Sequence, residues 1–347
     1  MNMRYCIWNN KGGVGKTFLT YCLASEYAIK NPNKYVVVID MCPQANISEM
    51  MLGGNGLGEE NLNKLYEKER TIASYIKSRY DRSRFGKLGN ELSFFVQVSE
   101  YNRNMPSNLF LLPGDTDLDM CSALIEYLER APEKNAWFKS RTLLLNLVET
   151  FEENNRDREV VFFIDSNPSF ANYTQLGVLS SNRLIVPCTG DSASMRGLSN
   201  VFKLIYGVNE NASQSESESV FYDFYQRTQD SGMNLPKLHC FVLNKSRSKN
   251  QNATKAYQAH INKIEMLINH LSDKYKDKFT RFPGNQEPLK PFNVKDGNNL
   301  ALVVNHDGLP VSKLENKNYD IYGEASQVNS SQVQPFLSHI HEIVDIL

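Results

Sequence analysis

Residues 9–17 read Asn-Asn-Lys-Gly-Gly-Val-Gly-Lys-Thr: three glycines, a lysine on each side of them, and a hydroxyl directly after the second lysine. Glycines let a chain turn sharply and bring successive backbone N–H groups to one point. When a strand precedes the turn and a helix follows it, the helix N-terminus adds its positive end, and the result is a phosphate cradle. In the G-x-x-x-x-G-K-[ST] pattern Lys16 reaches the β- and γ-phosphates of a nucleotide and the Thr17 hydroxyl ligates Mg2+. Asn10 stands where that pattern has its first glycine, and Lys11 is an additional lysine. The nucleotide-binding candidates therefore run through Lys11, Gly12, Gly13, Val14, Gly15, Lys16, Thr17 and Phe18. A carboxylate must complete the metal site. Asp165 closes the apolar run Val-Val-Phe-Phe-Ile, where it would hold Mg2+, usually through water. An aspartate at a strand end also serves as a turn or capping residue, but that run before it and Asn167-Pro168 after it favour the metal role.

These groups need a scaffold that brings several strand ends together. Short apolar runs at Arg4 to Trp8, Tyr35 to Ile39, Leu109 to Leu112, Val160 to Ile164, Leu184 to Pro187 and Leu238 to Leu243 read as strands buried on both faces. Between them, helical spacing of apolar residues predicts helices at Lys16 to Ile29, Asp117 to Glu129, Arg141 to Asn154, Ser194 to Gly207, Ala253 to Tyr275 and Gln332 to Ile346. The alternation predicts an α/β fold with a doubly wound, mostly parallel sheet covered by helices on both sides. We expect one domain over residues 1–347, with an inserted helical or flexible subregion at about 53–108 and a low-complexity loop at about 209–219. The Pro- and Gly-rich stretch from Lys276 to Pro310 reads as irregular.

With 347 residues, 41% of them hydrophobic, the chain can bury a full core unaided. Its 38 Lys and Arg against 39 Asp and Glu leave a formal charge of −1, so nucleic acid or an anionic membrane could be engaged only by a local patch. The six cysteines form no C-x-x-C pair, which argues against zinc, an iron–sulfur cluster or a disulfide framework. Met1 leads into a strand without a basic leader, and no apolar run reaches the roughly 20 residues that span a bilayer. The expectation is a soluble, cytoplasmic protein.

The loop and several later segments together resemble the ParA/MinD family of deviant P-loop ATPases over nearly the whole chain. Val36 to Ser48, with Asp40-Met41-Cys42-Pro43-Gln44-Ala45-Asn46 at its centre, is similar to the family's V-D-x-D-P-Q-G-N-x-[ST] segment. Asn108 to Asp115 resembles N-L-x-L-[IL]-P-[SA], and Val160 to Pro168 resembles the Walker B pattern [IV]-x-[IL]-D-x-P-P. Arg183 to Leu198 resembles the segment that ends in G-L, and Phe241 to Asn244 the strand that ends beside the adenine. The resemblance implies an ATPase using ATP and Mg2+, with two ATPs sandwiched in a homodimer. It assigns Lys11 the contact across to the partner's nucleotide. Asn244 could touch adenine or simply satisfy a strand end.

Cys42 departs from the pattern. The family's second aspartate, associated with positioning or activating the attacking water, is a cysteine here, while Asp40 keeps the first. A thiol is mostly neutral at pH 7 and is a weak acceptor, so hydrolysis should slow far more than binding weakens. The catalytic candidates are thus Lys11, Lys16, Asp40 and Cys42, with Asp40 a possible substitute. Relatives of this kind bind DNA nonspecifically as ATP dimers, and a partner protein stimulates hydrolysis. The DNA-binding candidates are Arg196, Lys245, Arg247, Lys249, Lys255 and Lys263, with Lys77 to Arg84 a second basic segment; a solvated helix face explains both equally simply. The C-terminal segment Pro335 to Leu347 is amphipathic but carries Glu342 and Asp345 and no Lys or Arg, so it should pack on the core rather than bind a membrane. The alternative to a DNA-partitioning ATPase is an ATP-gated assembly module that uses the 53–108 insertion as its partner surface and binds no DNA.

Overall fold

A computed structural model describes residues 2–81, 85–208, 221–246, 251–280, 290–297 and 299–347. The chain opens with β1 (Met3–Ile7), α1 (Lys16–Lys30) and β2 (Tyr35–Met41), followed by α2 (Asn46–Met51), α3 (Leu57–Glu67), α4 (Ile72–Asp81), β3 (Val96–Gln97) and β4 (Leu109–Leu112). It continues through α5 (Leu118–Glu129), α6 (Ala136–Arg141), α7 (Leu143–Asn154), β5 (Val160–Ser166), α8 (Asn172–Leu179), β6 (Arg183–Cys188) and α9 (Ser192–Tyr206). The last part comprises α10 (Phe221–Asp230), β7 (Lys237–Ser246), α11 (Gln251–Lys274), β8 (Phe292–Lys295), α12 (Asn299–Asp307), β9 (Asn318–Ile321), β10 (Glu324–Gln327) and α13 (Ser330–Val344).

Eight strands form one sheet in the order β3-β4-β2-β5-β1-β6-β7-β8, parallel except for the antiparallel edge pair β3–β4. Alternate side chains on each strand enter opposite cores, as strand geometry requires. Val37 and Ile39 of β2 join Leu118, Ile125, Leu144 and Phe202 on one face, whereas Val36 and Val38 join Leu19, Met51, Val303 and Ile340 on the other. The expected doubly wound sheet is therefore present. Helix α13 packs on α1 and β8, as its sequence suggested, and buries Phe336, Ile340 and Ile343.

The 53–108 subregion takes the helical one of its two expected forms, and a later stretch carries more structure than its composition implied. Residues 53–108 hold α3, α4 and the edge strand β3, and the Lys276 to Pro310 stretch read as irregular contains β8 and α12. In the second case Val294, Leu300, Val303 and Val304 bury themselves against the α1 face, so four well-placed apolar side chains outweigh the surrounding Gly and Pro. The 209–219 loop lies outside the described residues.

The register sets the site. Ile7 of β1 and Asp40 of β2 both pair with Asp165 of β5, so three strands end flush at one edge. The chain leaves β1 for β2 on one side and supplies β6 on the other, and the crevice outside such a reversal is where parallel sheets bind ligands.

Candidate nucleotide site

The turn between β1 and α1 depends on its glycines. Gly13 (φ 73°) and Gly15 (φ 80°) have left-handed backbones, and space around Gly12 and Gly13 is open. This lets the peptide groups face a common point at the start of α1. Lys16 turns inward and donates to the carbonyls of Asn9 (3.2 Å) and Lys11 (3.1 Å). Burial lowers its pKa to about 8, against the opposing pull of the Asp165 charge. The Asn244 side chain donates to Val14 O at 3.0 Å, which ties the end of β7 to the loop.

Asp165 is buried and accepts from Thr17 Oγ1 (2.8 Å) and Thr20 Oγ1 (3.2 Å). Burial pushes its carboxyl up to about 6, partly offset by those hydroxyls and Lys16. It is still mostly ionised at neutral pH, and a buried carboxylate beside a hydroxyl suits a hard divalent cation that keeps most of its waters. Among the described residues no cluster of three or more His, Cys, Asp or Glu could hold a metal by itself, so any ion here would draw its remaining ligands from a nucleotide and water.

Lys11 points elsewhere. Its ammonium lies 2.5 Å from Asp191 Oδ2, 2.7 Å from Thr189 Oγ1 and 3.4 Å from Ser194 Oγ, at the exit of β6 and the start of α9. Asp191 also caps α9 by accepting from Ser194 N at 3.0 Å. Sequence reasoning missed Asp191 and Thr189 as partners of Lys11. The signal available was the aspartate three residues before Ser194, a helix-start pattern.

A cavity of about 470 Å³ opens over the loop, lined by Gly13, Lys16, Thr17 and Phe18 on one side and by Cys42, Ser166 and Pro168 on the other. It extends past Gln44 and Asn46 to Glu49, Asn55 and Asn305. No motif flagged those last three, because α12 and the Gly53–Gly58 turn meet only in the fold. A Cβ on Gly54 would lie 2.2 Å from His306 O.

Asp40 does not stand beside Cys42 as a substitute. It is fully buried, and its oxygens accept from Cys42 N (3.0 Å), Ser48 N (3.2 Å) and Ser48 Oγ (2.7 Å). The suggestion that it could replace the missing second carboxylate is corrected on that ground: Asp40 ties the exit of β2 to α2, and it is absent from the cavity wall. Burial first, and then the Asp165 charge, push it up to about 7. Cys42 does line the cavity, and burial followed by the Asp40 charge pushes its thiol up to about 12, so it is protonated at neutral pH.

Arg196 on α9 and Lys263 on α11 are exposed on neighbouring helices. Arg247 and Lys249 lie outside the described residues, as do the side chains of Lys245 and Lys255. In the second basic segment Lys77 pairs with Asp117 (3.5 Å) and Arg79 is buried against Glu91 (3.6 Å), so these two cations serve the fold; residues 82–84 are outside the description.

A doubly wound sheet whose first strand ends in a lysine-bearing glycine loop, with an acid at the end of the neighbouring strand, defines a P-loop NTPase. The family model described as an AAA domain matches residues 3–217, and the chain belongs to this family of ParA-like P-loop ATPases. No curated protein sequence matches it significantly. Solved structures share the fold at low identity. The ATP complex of a McdA variant from Cyanothece is 14% identical, with 99% of this chain and 96% of that one covered and a TM-score of 0.59. The pNOB8 ParA structure is 16% identical, with coverage of 100% and 97% and a TM-score of 0.55. A putative plasmid partition protein from Borrelia burgdorferi bound to AMPPNP is 16% identical, with coverage of 99% and 98% and a TM-score of 0.53. Among the described residues no helix is long and apolar enough to cross a membrane.

Proposed function

We propose that this chain binds Mg-ATP in the loop cavity, pairs with a second copy around two ATPs, and in that state grips DNA without sequence preference to position DNA or another cargo. Lys16, Thr17 and Asp165 would hold the phosphates and the metal, and Lys11 would reach the partner's nucleotide. Hydrolysis would be slow or dependent on a partner protein, because Cys42 offers no carboxylate to water. When bound, Mg2+ held by Thr17 and Asp165 would supply positive charge that offsets the charge developing on the phosphates. The residues then act by position: Lys16 balances phosphate charge, the loop amides fix the phosphate chain, and the cavity wall limits which water can approach.

The observation that carries this reading is the division of labour between two lysines of one loop. Lys16 turns into the loop, whereas Lys11 points away from it to Thr189 and Asp191 at the start of α9, a pair that would open for Lys11 to meet a second nucleotide. The ATP and AMPPNP held by the Cyanothece and Borrelia structures agree with the nucleotide. The second reading, an ATP-gated assembly module that binds no DNA, is favoured by Cys42 and by the structural use of Lys77 and Arg79.

One experiment separates them: DNA binding with and without ATP across a salt series, run beside sizing of the protein. ATP-dependent DNA capture that weakens steeply with salt and disappears in Lys11→Ala supports the first reading. ATP-dependent dimers that leave DNA unbound at low salt support the second. A chain that stays monomeric with saturating Mg-ATP contradicts both.

A further inference from the structure

The Cys42 side chain has a neighbour that motif reading passed over. Where β5 ends, the chain turns through Asn167 at the position of the first proline in the Walker B pattern. Asn167 is fixed at both ends. Its backbone carbonyl accepts from Trp8 Nε1 at 2.9 Å, and its Oδ1 accepts from both Ser169 N and Ser169 Oγ at 2.9 Å. A backbone N–H can only donate, so the amide must present its oxygen to Ser169 and its nitrogen to the opposite side. That nitrogen meets Cys42 Sγ at 3.8 Å. The residues on either side of Asn167, Ser166 and Pro168, line the same cavity wall as Cys42. Two of the positions at which this chain departs from the family's acid patterns, Cys42 and Asn167, are thus in contact with each other.

The consequence is chemical. The sulfur accepts from the amide, so the thiol's own proton is directed away from Asn167. Where the family pattern places an anionic acceptor, this wall therefore carries the neutral S–H donor of Cys42, with the Asn167 amide turned onto its sulfur from behind. In hydrolysis a water oxygen bonds to the γ-phosphorus while the bond from that phosphorus to the β,γ-bridging oxygen breaks. ADP leaves with the electron pair, and the water's proton passes to the phosphate product. A carboxylate helps by accepting a hydrogen bond from that water; an amide N–H and a thiol do not. The Cys42 thiol, which lines the cavity, can instead donate to an oxygen of the γ-phosphate, a group that ATP has and ADP lacks.

We infer that Asn167 is a positioning residue that holds Cys42 as part of a neutral donor wall, so that the site retains ATP in preference to ADP and leaves water unactivated. The inference rests on the proposal that this cavity takes ATP, and it adds a residue and a selectivity to it. The test is equilibrium binding of ATP and of ADP, each with Mg2+, to the full chain and to two variants. Asn167→Ala should weaken ATP about tenfold, the loss expected when the Cys42 thiol is no longer held to donate to a charged phosphate oxygen, while ADP affinity changes less than about twofold. Asn167→Asp, which keeps its size and its acceptor for Ser169 but has no N–H to give, should weaken ATP further and again spare ADP. Unchanged ADP binding also shows that the variants are folded. A second readout is alkylation of Cys42, the one cysteine of the six that is not buried. ATP should protect it more than ADP does, and Asn167→Ala should narrow that difference. Equal losses for ATP and ADP, or no loss for either, would overturn the inference by reducing Asn167 to a turn residue. A wild-type chain that binds neither nucleotide would instead sink the underlying assignment of the cavity.

Discussion

Lys11 cannot hold Asp191 and a partner's phosphate at once, so the Lys11–Asp191 pair should oppose dimerisation, and Asp191→Asn should favour it. The substitution is chosen with care. Asp191 Oδ1 also accepts from Ser194 N at 3.0 Å and caps α9, a role asparagine fills equally well, whereas alanine would forfeit about 1 kcal/mol of capping. What asparagine removes is the negative charge facing Lys11 at 2.5 Å. The Asp191 side chain is 49% exposed and that of Lys11 22%, so solvent screens the pair, and its worth is taken as about 1 kcal/mol rather than a buried-pair figure. Each dimer releases two such pairs. The gain is then about 2 kcal/mol, or roughly 30-fold in the dimer dissociation constant. Sedimentation of wild type and Asp191→Asn over a dilution series in saturating Mg-ATP would read it directly. In Lys11→Ala background the same substitution should do nothing. An Asp191→Asn variant that dimerises no better than wild type, or worse, would refute both the latch and the assignment of Lys11 as the residue that crosses over.

Three further outcomes are expected. Cys42→Asp should raise single-turnover ATP cleavage at least about tenfold, since it restores an acceptor for water, and equal rates would show that the thiol is no handicap. His239 is buried between Thr280 Oγ1 (3.2 Å) and Ile346 O (3.1 Å), and burial lowers it to about 4. Between the unfolded value near 6.5 and about 4 the unfolded chain binds the extra proton, so stability falls as pH drops through that window, by about 3 kcal/mol at its foot. Denaturant titrations at pH 7 and pH 4.5 should show a smaller loss in His239→Gln than in wild type; identical losses would place the acid sensitivity elsewhere. Ala45 takes a left-handed backbone (φ 51°, ψ 26°) at the start of α2, so Ala45→Gly should raise the melting temperature by relieving about 1 kcal/mol of strain, and a lower one would contradict the conformation.

Much of this molecule was legible where chemistry and pattern coincide within one short segment. The loop from Lys11 to Thr17 announces its turn by its glycines, and the apolar runs at 36–39 and 160–164 announce buried strands, so their flush ends at Asp40 and Asp165 follow from the fold class. What escaped depends on residues far apart in the chain. The partners of Lys11 lie about 180 positions away, and the Asn167–Cys42 contact spans 125. Strand β8 and helix α12 were hidden for a different reason: their local signal is weak, and their apolar side chains become decisive only once the α1 face exists to receive them.

Asp40 shows why a motif position is not a role. By spacing alone it sits two residues from Cys42 and seems able to step in for a lost carboxylate. Yet its oxygens are engaged by Cys42 N, Ser48 N and Ser48 Oγ, and a Cβ on Gly114 would approach its Cγ to 2.8 Å, so it has no room to turn toward the cavity. Ser48 Oγ in turn accepts from Gly114 N at 3.0 Å, which joins the exits of β2 and β4 through one carboxylate. Freeing Asp40 to meet a water would dismantle the turn that places Cys42. On the proposed reading the chain does not recover a carboxylate acceptor by rotating Asp40, and fast turnover would call for a group from outside, either a partner protein or a second subunit. Stimulation by a partner should accordingly fail in any variant that loosens this turn, such as Ser48→Ala. If Ser48→Ala left stimulated single-turnover cleavage intact, the turn would not be what aims the site.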